Sequence, residues 1–131
     1  MLLNVGLNDT ARIGRPDGRP QLTSEAYTYG LERLLSQVKN HTKVMVMGLT
    51  PVNEKAMPFA ECLWYSNEAC TSYERHIEEA CLELDVPFLP THKEMLAEND
   101  YLKWIEDDGI HLNSLGHKWM YERVRSWSTL K

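Results

Sequence analysis

Asp108 and His111 stand three residues apart in the stretch EDDGIHLNSLGHKW, Glu106–Trp119. A tight turn through Gly109 puts a carboxylate and an imidazole on one side of the backbone. The carboxylate then accepts a hydrogen bond from one ring nitrogen. That bond fixes the tautomer, stabilises an imidazolium and leaves the other nitrogen free as a general base. Asn113 or Ser114 supplies an N-cap for a helix just beyond. Two other readings use the same residues. Asp108 and Gly109 also suit an ordinary turn, with His111 at a helix entrance. Asp108, His111 and His117 also fall close enough together for a metal site. No second His/Cys cluster at zinc-ligand spacing accompanies them, and His117 points down the helix away from the pair.

A second polar cluster follows the first residues. Met1–Val5, MLLNV, reads as a buried strand, and Gly6-Leu-Asn8-Asp9 comes at once after it. A strand that ends this way delivers polar groups to the carboxyl edge of a sheet, where open α/β folds place their sites. Gly6 permits a sharp turn or a close backbone approach. The Asn8 amide offers a donor for a developing oxyanion. Asp9 can tie the loop by bonding its backbone. Asn and Asp also favour turns for purely local reasons.

DGIHLNSLGH resembles the last block of the SGNH (GDSL-type) serine esterases and acylhydrolases, and Gly6-Leu-Asn8-Asp9 resembles their third block. The resemblance implies a flavodoxin-like parallel sheet of about five strands, with about three of them in this chain. It implies that Asp108 and His111 complete a triad, that Asn8 is an oxyanion donor, and that Gly6 and Asp9 support its loop. No metal or organic cofactor is implied, and the substrate is a small ester or acylated molecule. The first block, a Gly-Asp-Ser carrying the nucleophile, does not occur in the chain, and no G-x-S-x-G elbow replaces it. Ser24, Ser36, Ser66, Ser72, Ser114, Ser126 and Ser128 fall at helix starts or within helices, and none is assigned as nucleophile.

The expectation is therefore one domain, 1–131, matching the carboxyl-terminal part of the family pattern and lacking its amino-terminal part. Activity would be serine-dependent hydrolysis of carboxylic esters. The alternative is a hydrolase-derived domain without a nucleophile that binds a sugar, an acyl group or a protein partner. Met1–Val5 would lack a neighbour on one side, and an open apolar edge pairs readily with another chain, so a homo-oligomer through that strand is expected. A nucleotide-binding module fits less well, because no Gly-rich phosphate loop follows the first strand.

Composition narrows the partners. The 131 residues are 43% hydrophobic and 25% charged, with a formal charge of -5 and no basic stripe. That argues against nucleic acid as the main partner, and no apolar run approaches a membrane span. Cys62, Cys70 and Cys81 are odd in number and lack CxxC spacing, which reads as reduced thiols in a cytoplasmic protein.

The remaining chain must position these groups. The Thr10–Leu22 stretch reads as a polar loop whose Arg12, Arg15 and Arg19 are solvated or bind an anionic group. A helix from Thr23 or Ser24 to about Asn40 carries Tyr27, Leu31, Leu34, Leu35 and Val38 on one face. Lys43–Gly48 is a strand covered on both faces. Asn53–Tyr65 reads as irregular; the family resemblance implies that it lines a substrate groove, and packing of a long loop onto the domain is the other reading. A second helix, from Ser66 or Asn67 to about Leu84, turns Glu74, Glu78, Glu79 and Glu83 outward. Val86–Leu89 is an edge strand because of Pro87. His92 follows it as a second candidate histidine, without a carboxylate at fixed spacing. A short helix over Lys93–Asp100 and a last one over about Ser114–Trp127, which carries Leu115, Trp119, Met120, Val124 and Trp127 and packs along the sheet, complete the α/β three-layer expectation.

Overall fold

The computed structural model describes residues 1–127 and 129. In chain order the elements are β1 (Leu2–Leu3), β2 (Arg12–Ile13), α1 (Ser24–Val38), β3 (Met45–Met47), β4 (Leu63–Trp64), α2 (Asn67–Glu83), β5 (Phe88–Leu89), α3 (Thr91–Leu96) and α4 (Ser114–Arg125). The main sheet is parallel, in the order β1-β3-β5. Leu2 pairs with Met45, and Val46 pairs with Phe88. This is the α/β parallel sheet expected from the alternation of strands and helices, with the strand after Pro87 at an edge.

The three long helices each start where a side chain caps them. Thr23 accepts from the Ala26 N–H, Ser66 from the Ala69 N–H, and Asn113 from the Gly116 N–H. A cap of this kind contributes about 1 kcal/mol. The alternation of β3 divides the core. Val44 and Val46 face α1 and α2 through Leu31, Leu35, Ile77 and Cys81. Met45 faces the other way and packs with Leu89, Val124 and Trp127. Helices thus cover both faces of β3, which is why it reads as near-continuous apolar sequence. All three cysteines are free thiols, with Cys70 and Cys81 buried.

Several expectations change. Only Leu2–Leu3 of the Met1–Val5 stretch is strand, and Met1, Leu2 and Val5 are exposed rather than buried. The loop over 10–22 and the irregular stretch over 53–65 contain β2 and β4, which pair antiparallel as a second small sheet. Two-residue strands leave too short an alternation to read. The short helix begins at Thr91, before Lys93, and ends at Leu96; a single 3-10 turn, Tyr101–Trp104, follows it. Leu115 is 57% exposed and Leu34 also reaches solvent, so the apolar faces of α4 and α1 are narrower than expected.

The largest correction concerns Glu74, which is 4% exposed and not on an outer face. Its Oε1 accepts the N–H groups of Leu49 at 2.9 Å and His92 at 3.0 Å, and its Oε2 accepts that of Lys93 at 2.9 Å. One carboxylate thereby joins the chain leaving β3 to the start of α3. Burial raises the Glu74 carboxyl, and the hydrogen bonds from Lys93, His92 and Leu49 oppose that rise. A side chain at Gly48 would occupy the Glu74 carboxylate position, so only glycine fits beside it.

Candidate active site

The turn that carries Asp108 and His111 is built by backbone bonds. The Gly109 N–H donates to the Glu106 carbonyl at 3.0 Å, and the Glu106 N–H donates to the His111 carbonyl at 2.8 Å. Gly109 has φ +86°, and a Cβ there would lie 2.7 Å from the Ala56 Cβ. The Gly109 carbonyl accepts the Asn53 N–H at 2.8 Å, which docks the turn on the segment after β3. Glycine is needed here for both its dihedral and its size.

Within that turn Asp108 holds His111 twice. Its Oδ1 accepts the backbone N–H groups of Ile110 at 2.9 Å and His111 at 3.0 Å. Its Oδ2 meets the His111 ring at Nδ1, 2.5 Å away. Partial burial pushes the Asp108 carboxyl up. The hydrogen bonds from the His111 backbone, the His111 ring and the Ile110 N–H outweigh it and hold the carboxyl below its ordinary value. Asp108 is therefore an anionic partner for Nδ1, and the His111 side chain is 66% exposed with no partner recorded at Nε2 among the described residues.

Asn8 opens a 3-10 turn, Asn8–Thr10, that leaves the end of β1. Gly6, at φ +120°, makes the preceding bend, and a Cβ there would fall on the Tyr27 hydroxyl. That hydroxyl donates to the Val5 carbonyl at 3.1 Å. The Asp9 N–H bonds the Gly6 carbonyl and the Asp9 carbonyl accepts the Leu22 N–H, each at 3.2 Å. The loop is thus held by the Asp9 backbone. Burial raises the Asp9 carboxyl, against its own backbone N–H, which lowers it. A cleft of about 490 Å³ opens beside Asn4, Gly6, Asn8 and Thr50 at the carboxyl ends of β1 and β3.

Two residues link the Asn8 loop to the Asp108–His111 turn. The Tyr65 hydroxyl donates to Asn8 Oδ1 at 2.9 Å. Phe59 stands edge-on to Tyr65, with ring centroids 6.1 Å apart, and edge-on to His111 at 6.2 Å. Neither role was visible in the sequence, where both aromatics lie in a segment without periodicity. The other candidates fall elsewhere. His117 is exposed on α4, and no group of three or more His, Cys, Asp or Glu suited to a metal occurs among the described residues. Arg12 donates to the Gly18 carbonyl at 3.0 Å, and Arg15 pairs with Asp17 at 3.2 Å. His92 is 1% exposed, and its Nε2 lies 3.2 Å from Asn67 Oδ1. No serine is hydrogen-bonded to His111 among the described residues; Ser128 lies outside them.

The chain is similar to known proteins over most of its length. A GDSL esterase/lipase of Arabidopsis thaliana is 25% identical over 91% of this chain and 54% of its own length. The GDSL esterase/lipase WDL1 of Oryza sativa is 22% identical over 95% of this chain and 51% of its own length. The chain thus spans about half the length of these relatives. The crystal structure of a lipase/acylhydrolase from Enterococcus faecalis superposes with a TM-score of 0.77 at 15% identity, covering 94% of this chain and 57% of that one. It shares the fold. The model of the GDSL-like lipase/acylhydrolase family matches residues 1–119, and the chain belongs to that family.

Proposed function

We propose that this chain contributes the Asp108–His111 pair and the Asn8 oxyanion donor to serine-dependent hydrolysis of carboxylic esters. The observation that supports it most is the bond between Asp108 Oδ2 and His111 Nδ1, with Nε2 left to solvent. A serine hydroxyl attacks the ester carbonyl while His111 Nε2 takes its proton. The tetrahedral oxyanion receives a hydrogen bond from Asn8. His111 then returns the proton to the leaving alkoxide, and water repeats the sequence on the acyl-enzyme. Asp108 stabilises the imidazolium throughout. The serine is not among the groups bonded to His111 in the described residues, which favours as second reading a binding domain for a sugar, an acyl group or a protein.

One experiment separates the two. The purified chain is treated with a fluorophosphonate probe, read by intact mass, and assayed on a short p-nitrophenyl ester. One adduct and turnover, both lost in His111→Ala, support the hydrolase. Neither signal in the unmutated chain means that it holds no usable serine; signals that stay absent when a Gly-Asp-Ser strand segment is supplied in fusion support the binding domain. We also propose self-association through β1, whose outer edge has no strand beside it among the described residues. A monomer that persists at all concentrations in analytical ultracentrifugation would remove that proposal.

A further inference from the structure

We infer that Tyr65 is a positioning residue for the oxyanion donor: its hydroxyl fixes which way the Asn8 carboxamide faces. The inference rests on the hydrolase reading above. A carboxamide is nearly symmetric in shape but opposite in sense at its two ends. Its NH2 donates and its oxygen only accepts. An Asn free to flip would present the wrong end to an oxyanion for part of the time. A donor that must be in place before charge develops cannot average over both.

Tyr65 removes that freedom. It is 3% exposed, and Asn8 Oδ1 is the acceptor recorded for its hydroxyl, 2.9 Å away. Burial, with Cys70 and Asp9 nearby, raises the Tyr65 hydroxyl, so it keeps its proton. The Asn8 oxygen is thereby engaged on the Tyr65 side, and the Nδ2 donors are turned to the other. The register of the small sheet explains why the pair meets. Arg12 of β2 pairs with Trp64 of β4, so Tyr65, the next residue, returns to the turn that immediately precedes β2. The ring is held in turn by Phe59, which also stands against His111. Tyr65 acts through Asn8 and has no place among the groups that touch the reacting atoms.

The test is side-chain NMR of the full chain, with the Asn8 Nδ2 resonances assigned by their loss in Asn8→Asp. In the unmutated chain the Asn8 amide should be rigid, with an order parameter near about 0.8, and in Tyr65→Phe it should fall below about 0.6. Tyr65→Phe keeps the ring on Phe59, and unchanged backbone spectra will establish that it folds. Tyr73→Phe is the control: it removes another largely buried hydroxyl, bonded to the Leu22 carbonyl at 2.6 Å, and should leave Asn8 unaltered. In p-nitrophenyl ester hydrolysis, Tyr65→Phe should lower kcat roughly fivefold with KM nearly unchanged, as loss of one net hydrogen bond predicts. An Asn8 amide that stays rigid in Tyr65→Phe overturns the inference, and so does a loosened amide with unaltered kcat. A loosened amide in a chain that never turns over ester supports the orientation by Tyr65 and counts against the hydrolase reading instead.

Discussion

Acid should destabilise this fold through one histidine. His92 is 1% exposed, and burial lowers its pKa from 6.5 to about 4. The folded chain therefore holds the ring neutral, while the unfolded chain protonates it below about pH 6.5. Stability from this group is complete above that pH and is lost as the pH falls toward 4. A difference of about 2.5 in pKa, at about 1.4 kcal/mol for each pH decade, amounts to about 3 kcal/mol. Roughly two-thirds of it should be gone by about pH 5. Glu74 works in the opposite sense. Its carboxyl is raised by burial, so its protonation on acidification relieves a cost, and the raw pH curve mixes both groups. Comparison with His92→Gln separates them, because glutamine keeps a donor for Asn67 Oδ1 and does not titrate. Urea unfolding of both proteins at several pH values from 7 to 4 gives the difference. It should shift against the unmutated chain by about 3 kcal/mol over that range. Parallel curves for the two proteins would refute the claim that the ring is buried neutral.

Other substitutions test the remaining contacts. Glu74→Ala leaves the N–H groups of Leu49, His92 and Lys93 without their acceptor, and should cost on the order of 3–5 kcal/mol in urea unfolding. Gly109→Ala meets both a φ of +86° and the Ala56 Cβ, so the Asp108–His111 turn should shift, seen as altered His111 ring resonances in NMR. Asn8→Ala should reduce kcat on a p-nitrophenyl ester about 10²–10³-fold with the fold intact. Asp108→Asn should lower kcat about 10⁴-fold, because an amide neither stabilises the imidazolium nor fixes the same tautomer.

Much of the site could be read from local sequence because its contacts are local. Asp108 and His111 bond across three residues, and Asn113 caps α4 across three more. Gly6 and Asn8 follow β1 directly. The parallel direction of β1, β3 and β5 also follows from the alternation of strands and helices. What escaped depends on distant partners. Glu74 sits at a helical position that resembles its solvated neighbours Glu78 and Glu79, and only the three backbone donors brought by β3 and α3 make burial of its charge tolerable. Tyr65 and Phe59 are joined to the site by a two-residue ladder, too short to leave a period in the sequence.

The two histidines show how one sheet edge separates structure from chemistry. Both lie on segments beyond the strands, and sequence spacing alone favours His111 only by its nearby carboxylate. Packing sharpens that preference. His92 bonds Asn67, whose amide in turn bonds the Val52 carbonyl and the Tyr101 hydroxyl, and its backbone N–H is held by Glu74. The residue is 1% exposed, and its ring resists protonation down to about pH 4. A general base must accept a proton near neutral pH and then carry the charge. His111 has the carboxylate to stabilise that charge and a nitrogen open to solvent. His92 cannot substitute for it, so loss of His111 should leave no secondary base at this edge. The network around His92 and Glu74 instead ties the segment after β3 to the start of α3, and that same segment receives the Gly109 turn through Asn53. The buried histidine thereby steadies the platform on which the exposed one is placed.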